Sequence, residues 1–124
     1  DMAAYKARAE AVRHAEVYRG SFAISVCPAD NIESPTIVGA QAANELLNIV
    51  GIKASFVLTE YQGKIYISSR SIDEINVQLI MERMGGGGHM NVAGAQLENC
   101  SVQEAKRMIE DTLDEMLKEG DIQK

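Results

Sequence analysis

Apolar side chains recur along this chain either every three to four residues, as in a helix, or every second residue, as in a strand. The first change between these spacings separates the first two predicted elements. Residues 2–18 place apolar side chains three and four positions apart among charged residues, which predicts an amphipathic helix whose buried face includes Met2 and Tyr5. Residues 22–26 alternate instead, and Pro28 closes the segment, which predicts a buried strand. The chain is therefore expected to open with a helix followed by a strand.

Residues 34–51 have the clearest helical signals. Ser34 can cap a helix, Pro35 suits its first turn, and Gly51 suits a left-handed stop. The apolar face between these ends extends to Val50. This spacing predicts a helix that packs on the core along most of its length.

The middle of the chain alternates with a period of two residues. Residues 53–60 and 64–70 place apolar side chains at alternate positions, and Gly63 lies in the short connection between them, which predicts a β-hairpin. Residues 71–74, Ser-Ile-Asp-Glu, then have the spacing of a capping box. They predict a helix that runs directly into the glycines at 85–88.

The C-terminal part uses similar signals. Residues 93–97 predict a short strand, and residues 101–104, Ser-Val-Gln-Glu, form a second capping box. The helix that it opens has a broad apolar stripe and is expected to end before Gly120. The order of all these elements predicts an α/β fold in which a mixed β-sheet is flanked by α-helices.

Length and composition agree with one globular domain, since 124 residues with 46% hydrophobic content suffice for one core. The net charge of −6 argues against binding of duplex nucleic acid, which needs a basic surface, but it permits a small anionic ligand in a local pocket. No apolar run approaches the roughly 20 residues of a membrane span. Cys27 and Cys100 lack CxxC spacing, so both are expected to be free thiols.

Four consecutive glycines, Gly85 to Gly88, stand directly before His89, one of two histidines in the chain. A flexible linker is one explanation, although the apolar segments on both sides must fold back together. A Rossmann or P-loop phosphate site is a second, but such loops follow a strand and precede a helix, whereas here a helix precedes the glycines. A third is a cradle in which backbone N–H groups and the imidazole bind an anion.

Arg70 is the best candidate for a second anion ligand. It ends the second strand of the hairpin, and its guanidinium offers a phosphodiester a rigid fork of donors. A surface arginine without a function is the alternative. Ser69 and Asn91 flank the proposed contacts and are less certain ligands, as is Ser68. His14 lies on the polar side of the first helix and is expected to face solvent.

Three stretches together resemble a known family: residues 66–71 (YISSRS), 75–97 (INVQLIMERMGGGGHMNVAGAQL) and 39–47 (GAQAANELL). They look like the C-terminal DHH-associated domain of DHH-family phosphoesterases. The lead-in at residues 5–28 most closely resembles the GdpP (YybT) type of cyclic-di-AMP phosphodiesterase. By this resemblance, residues 1–18 are a linker helix from an upstream DHH domain, and residues 19–124 are the substrate-binding domain.

The resemblance also implies roles for individual residues. Those that match the family's substrate-binding motifs are Arg70, Gly86, Gly87, Gly88 and His89, and Gly85, which extends the glycine run by one residue, is counted with them. They are expected to contact a nucleotide phosphate through backbone, imidazole and guanidinium groups. In the family, hydrolysis is carried out by two divalent metals, usually manganese, held in the DHH domain, and this chain contains no Asp-His-His triplet. We therefore expect no catalytic residue in this chain, and no metal or other cofactor bound by it.

The expected function is that of a substrate-binding module in a cyclic-di-AMP phosphodiesterase, whose parent protein produces linear pApA. The expected partners are a cyclic dinucleotide or short oligonucleotide and the upstream DHH domain of the same chain. Two other classes stay open: the same module from a nano-RNA phosphodiesterase or RecJ-like exonuclease, and a non-enzymatic nucleotide-binding or interaction domain. The resemblance further implies a cytoplasmic domain of a parent anchored by N-terminal membrane helices. Whether the chain forms a homodimer is left open.

Overall fold

The computed structural model describes residues 1–124 and contains six strands in one sheet. The strands are β1 (Glu16–Tyr18), β2 (Phe22–Val26), β3 (Ala54–Tyr61), β4 (Lys64–Ser71), β5 (Gly87–Gly88) and β6 (Val92–Leu97). They lie in the order β1-β2-β3-β4-β6-β5. Only β2 and β3 run parallel to each other, and every other neighbouring pair is antiparallel. The sheet is therefore mixed.

Four helices cover the two faces of this sheet. They are α1 (Met2–Arg13), α2 (Pro35–Leu46), α3 (Val77–Glu82) and α4 (Val102–Glu119). Residues of α1 and α2 pack on one face, and residues of α3 and α4 pack on the other. The predicted α/β class, with a mixed sheet flanked by helices, is confirmed. None of these helices combines the length and the apolar content that crossing a bilayer requires.

The alternation of side chains along β3 divides the core into two clusters. Phe56 and Leu58 belong to a cluster of 19 buried residues with α3 and α4, whereas Val57 belongs to a cluster of 10 with α1 and α2. The smaller cluster is rich in alanine, which lets its helices approach the sheet closely. The buried Ser55 hydroxyl donates a hydrogen bond to the Ala43 carbonyl of α2 at 2.7 Å. This contact holds α2 on the face of the sheet that carries the smaller cluster.

The first helix ends at Arg13, so its predicted continuation to residue 18 is wrong. Residues 16–18 form β1 at the edge of the sheet. The Tyr18 hydroxyl donates to Asp114 of α4 at 2.7 Å, which ties this strand to a distant part of the chain. A local sequence pattern cannot show such a contact. The contact stabilises the strand conformation of residues 16–18 relative to a continued helix.

The buried face of α1 consists of small residues. Ala7 and Ala11 are buried, whereas Met2 and Tyr5, which the spacing placed inside, are exposed. The alanines let α1 approach α2 and the sheet, where the Ser25 hydroxyl donates to the Ala11 carbonyl. The helix α1 thus contributes to the smaller of the two core clusters. Its role as a linker from an upstream domain stays a prediction.

The helix α2 also ends earlier than predicted, at Leu46. Val50 is 99% exposed, so the apolar face does not extend to it. The amides directly after Leu46 donate to carbonyls three residues back, which tightens the chain before Gly51 turns it with a φ of 92°. Pro35 occupies the first turn as predicted, but the Ser34 side chain makes no capping hydrogen bond.

The capping box predicted directly after β4 is wrong. Ser71 is the last residue of β4, and its hydroxyl donates to the Ile75 carbonyl at 2.6 Å. Asp73 has a positive φ of 56°, which a helix cannot accommodate. The helix α3 starts later, where the Asn76 side chain accepts a hydrogen bond from the Leu79 amide at 3.3 Å.

Two other local predictions are confirmed. Gln62 and Gly63 form the two-residue turn of the hairpin, with φ values of 52° and 78° that suit a type I′ turn. Ser101 and Glu104 make both hydrogen bonds of the capping box at the start of α4. Gly120 takes the left-handed conformation at the end of the same helix.

Both cysteines are free thiols, as predicted, and they differ in exposure. Cys27 is buried beneath α1 with its Sγ 3.8 Å from the Ala7 carbonyl oxygen, and burial raises the pKa of its thiol to about 11. At about pH 8 we expect dithionitrobenzoate to label Cys100 rapidly and Cys27 slowly, because the thiolate is the reactive form. A Cys100→Ser variant isolates the slow thiol. Rapid labelling of Cys27 in the native protein would contradict its burial under α1.

Candidate functional site

Alternate residues of β4 face α2 and line an open cleft. The pleat of the strand puts Tyr66, Ser68 and Arg70 on one side of the sheet. The neighbouring strand β6 places Gln96 opposite Tyr66 and Gly94 opposite Ser68. We call this surface the β4–β6 cleft. It has a volume of about 560 Å³ and is lined by Thr36, Tyr66, Ile67, Ser68, Gly85, Gly86, Gly94, Ala95 and Gln96.

Arg70 lies on the same side of β4 as Ser68, just beyond the residues that line the β4–β6 cleft, and neutral oxygens hold its head group. Its Nε donates to Asn44 Oδ1 of α2 at 3.0 Å. Its Nη1 donates to the Ser69 carbonyl at 2.8 Å and to the Ala93 carbonyl at 3.5 Å. The guanidinium is therefore fixed between α2 and β6, while Nη2 has no hydrogen-bond partner in the protein.

No carboxylate neutralises Arg70. The arginines that do form ion pairs with carboxylates are Arg8, Arg13, Arg19, Arg83 and Arg107, which are all the others in the chain. Burial without a counter-charge lowers the pKa of the Arg70 guanidinium, although an arginine stays charged in proteins. A half-buried cation without an internal counter-charge is a favourable position for an anionic ligand.

Packing explains most of the glycine run. A Cβ on Gly86 would lie 2.1 Å from the Gly94 carbonyl oxygen, and one on Gly88 would lie 2.6 Å from the backbone of β6. Gly85 and Gly88 also have positive φ values, 85° and 145°, which favour glycine. Gly87 has neither restriction, because no atom lies within 4 Å of the position that its Cβ would take.

Two of the four glycine amides, and the amide of His89 after them, donate to carbonyls inside the protein. The Gly85 and Gly86 amides donate to carbonyls of α3 at 3.1 and 2.8 Å, and the His89 amide donates to the Val92 carbonyl at 2.7 Å. Gly87 and Gly88 form β5, which pairs with β6 at the edge of the sheet. The predicted cradle of free glycine N–H donors is therefore wrong for Gly85 and Gly86. The flexible-linker alternative is also wrong, because the run is built into the sheet edge.

His89 lies two strand positions from Arg70 within the sheet, with β6 between them. Arg70 pairs with Val92 of β6, and the Val92 carbonyl accepts the His89 amide, so the backbones of His89 and Arg70 are about 10 Å apart. The His89 side chain is exposed and has no hydrogen-bond or ion-pair partner in the protein. It is free to contact a ligand that reaches over the sheet edge.

The two less certain candidates have their side chains outside the β4–β6 cleft. Ser69 is fully buried on the face opposite to Arg70, and its hydroxyl has no partner. The Asn91 Nδ2 donates to the Ser71 hydroxyl at 2.9 Å and ties the segment before β6 to the end of β4. Ser68, in contrast, lies on the cleft side of β4.

The buried Ser69 hydroxyl leads to a stability prediction. It is desolvated without a hydrogen bond in return, so Ser69→Ala should leave the free energy of unfolding unchanged or raise it by about 1 kcal/mol. Ser71→Ala removes a hydroxyl bonded to Ile75 and Asn91 and should lower it by about 1–2 kcal/mol. Urea unfolding compares the two variants. A greater loss for Ser69→Ala than for Ser71→Ala would contradict these contacts.

The fold does not gather metal ligands at the cleft or elsewhere. No group of three or more His, Cys, Asp or Glu side chains is close enough to hold a metal ion, so the residues present do not fit one. The predicted exposure of His14 is confirmed, and its Nε2 pairs with Glu10 at 2.8 Å on the surface of α1.

The structure adds three cleft residues that the sequence pattern did not single out. Tyr66 lies at an even spacing from Arg70 on β4, so strand alternation could have identified it. Thr36 and Gln96 come from α2 and β6, and only the tertiary arrangement brings them to the cleft.

The chain matches the family model described as the DHHA1 domain over residues 20–119. It is 38% identical, over 92% of its length, to the cyclic-di-AMP phosphodiesterase PdeA of Listeria monocytogenes. It is 37% identical, over 97% of its length, to the cyclic-di-AMP phosphodiesterase GdpP of Bacillus subtilis. The chain spans only 17% and 18% of these two proteins. An exopolyphosphatase-related protein from Bacteroides fragilis matches the fold with a TM-score of 0.80 at 20% identity, over 94% of this chain and 35% of that one.

The match to the family model covers every element of the fold except α1 and β1. It includes the β4–β6 cleft, Arg70 and the whole glycine run. The expected relation to DHH-associated domains is confirmed, and the chain belongs to the DHHA1 domain family.

Proposed function

We propose that this chain is the substrate-binding domain of a cyclic-di-AMP phosphodiesterase. Its family and the names of its relatives support this class of substrate. The observation that carries the proposal is the state of Arg70, a half-buried cation without a carboxylate partner, two residues along β4 from Ser68 of the open cleft. A phosphate group supplies the negative charge and the acceptor oxygens that this guanidinium lacks.

Arg70 binds the nucleotide phosphate with the donors that remain free. Asn44 and two carbonyls already orient its planar fork, so little side-chain freedom is lost on binding. Partial burial strengthens the interaction because water competes less with the ligand. Gly87 leaves space for close approach along the sheet edge, and His89 offers an exposed imidazole nearby.

The hydrolytic step belongs to another part of the parent protein. This chain has no residue cluster that fits a metal, and it spans a small part of its relatives. As the family resemblance implies, an upstream DHH domain of the parent supplies two divalent metals, usually manganese. The same resemblance implies that N-terminal membrane helices anchor the parent. This chain contributes by positioning the phosphate, since orientation of the reacting groups lowers the barrier of such reactions.

The division between binding and chemistry is tested by adding cyclic-di-AMP and manganese to the purified chain. We expect calorimetry to show binding and chromatography to show no pApA above a protein-free control. Protein-dependent hydrolysis that Arg70→Ala abolishes would show that the chain contains its own catalytic groups. Absence of binding by any nucleotide would instead favour a non-enzymatic interaction domain.

Competition against cyclic-di-AMP in the same assay distinguishes the related substrate classes. Tighter binding of short single-stranded oligonucleotides would identify the module of a nano-RNA phosphodiesterase or RecJ-like exonuclease. Duplex nucleic acid should not compete, because a chain with a net charge of −6 lacks the basic surface that holds it.

A further inference from the structure

The part of the β4–β6 cleft that is farthest along β4 from Arg70 combines an aromatic ring with a side-chain amide. Tyr66 of β4 and Gln96 of β6 are paired in register, and both line the cleft. Tyr66 is half-buried and Gln96 is exposed, and neither side chain forms a hydrogen bond with the rest of the protein. The fold therefore leaves the polar groups of both residues available to a ligand.

The spacing along β4 suits a nucleotide. Tyr66 lies on the same side of the strand as Arg70, with backbones roughly 13 Å apart at the usual rise per residue. Between them, Ser68 pairs with Gly94, and the absence of a side chain on Gly94 leaves space in the cleft above β6. Packing also requires this glycine, because a Cβ on it would lie 2.7 Å from the Ile67 carbonyl oxygen. A phosphate at Arg70 thus leaves room for a sugar over Gly94 and a base at Tyr66.

We propose that Tyr66 and Gln96 form a subsite for an adenine base, which stacks on the phenol ring while the amide binds the base edge. This subsite rests on the proposed nucleotide-binding function and extends it to the choice of base. The amide of Gln96 offers a donor and an acceptor, and adenine presents the complementary N7 acceptor and N6 donor. Guanine presents two acceptors, N7 and O6, so the amide cannot satisfy both atoms in the same way. The amide therefore selects adenine, and the ring contributes affinity for either base.

The test compares calorimetric binding of pApA and pGpG to the whole chain. The unmodified chain should prefer pApA by about tenfold or more. Gln96→Arg should abolish or reverse this preference, because a guanidinium donates to both guanine acceptors. Tyr66→Leu should weaken binding of both dinucleotides by roughly 10- to 100-fold. Tyr66→Phe should keep the affinity, because it retains the ring.

Matched controls lie away from the cleft. Gln62→Ala at the hairpin turn and Tyr5→Leu on α1 replace exposed residues of the same types and should bind like the unmodified chain. Thermal melting of every variant identifies losses that come from unfolding.

Two failures have different meanings. If Arg70→Ala weakens binding but the chain binds pApA and pGpG equally and Tyr66→Leu has no effect, the adenine subsite is wrong and the phosphate site stands. If nothing binds, or if Arg70→Ala leaves binding unchanged, the proposed function fails together with the subsite.

Discussion

A Gly86→Ala variant should melt roughly 10 °C or more below the unmodified chain. The added Cβ would lie 2.1 Å from the Gly94 carbonyl oxygen and 2.7 Å from the Ala95 Cα, and both of these are backbone atoms. They belong to β6, which is held by its pairing with β4, so the overlap cannot be relieved by a side-chain rotation. We expect a loss of about 3 kcal/mol or more in the free energy of unfolding, measured by thermal and urea denaturation.

Gly87→Ala is the matched control for this substitution. No atom lies within 4 Å of its added Cβ, and the φ of Gly87 is not in the left-handed region. The variant should stay within about 1 kcal/mol of the unmodified chain in stability. It should nevertheless bind cyclic-di-AMP more weakly, because the methyl group narrows the approach along the sheet edge. Equal loss of stability in the Gly86 and Gly87 variants would contradict the packing explanation of the glycine run.

Arg70→Ala should raise the Kd for cyclic-di-AMP by about 10- to 100-fold, since charge-assisted hydrogen bonds contribute about 1.5–3 kcal/mol. Arg70→Lys should recover only part of the affinity, because an ammonium lacks the planar fork that Asn44 orients. Folding should be only slightly affected: the exposed Asn44 can bond to water after the change, while the Ser69 and Ala93 carbonyls each lose one part-buried donor. Titration calorimetry measures the affinity, and thermal melting measures the stability.

Arg107→Ala is the control for the charge change. Arg107 is exposed on α4 and pairs only with Asp111, one turn away on the same helix. This variant removes the same charge from a surface remote from the β4–β6 cleft and should bind like the unmodified chain. A similar loss of affinity in Arg70→Ala and Arg107→Ala would mean that overall charge, rather than the site, governs binding.

The elements that the sequence predicts well are those whose signals are complete within a few residues. Gln62 and Gly63 supply the positive φ angles of the hairpin turn themselves, and Ser101 and Glu104 complete their own capping box. Such local chemistry works in the same way wherever the segment is placed, so its outcome can be read from the sequence.

Elements that depend on distant residues are predicted less well. The hydroxyl of Tyr18 bonds to Asp114 and supports a strand where the periodicity indicates a helix. Ser71 resembles a helix cap, but its hydroxyl donates to the nearby Ile75 carbonyl and accepts a hydrogen bond from Asn91, 20 residues further along the chain. In both cases tertiary contacts outweigh the local preference.

The candidate site shows the same limit. Strand position and donor geometry single out Arg70, but the sequence cannot show that it alone among the arginines lacks a carboxylate partner. The glycine run is also a sequence signal, yet its explanation needs the structure. Gly86 is required by the close approach of Gly94, a residue of another strand, rather than by free N–H groups aimed at a ligand.

The most direct measurement is an amide NMR titration of the isotope-labelled chain with cyclic-di-AMP. We expect the largest shifts at Ser68, Arg70 and the glycines Gly85 to Gly87. These shifts should be lost in Arg70→Ala and retained in Arg107→Ala. Shifts confined to α1 or α4, or shifts that Arg70→Ala leaves unchanged, would contradict the claim that the β4–β6 cleft holds the nucleotide phosphate.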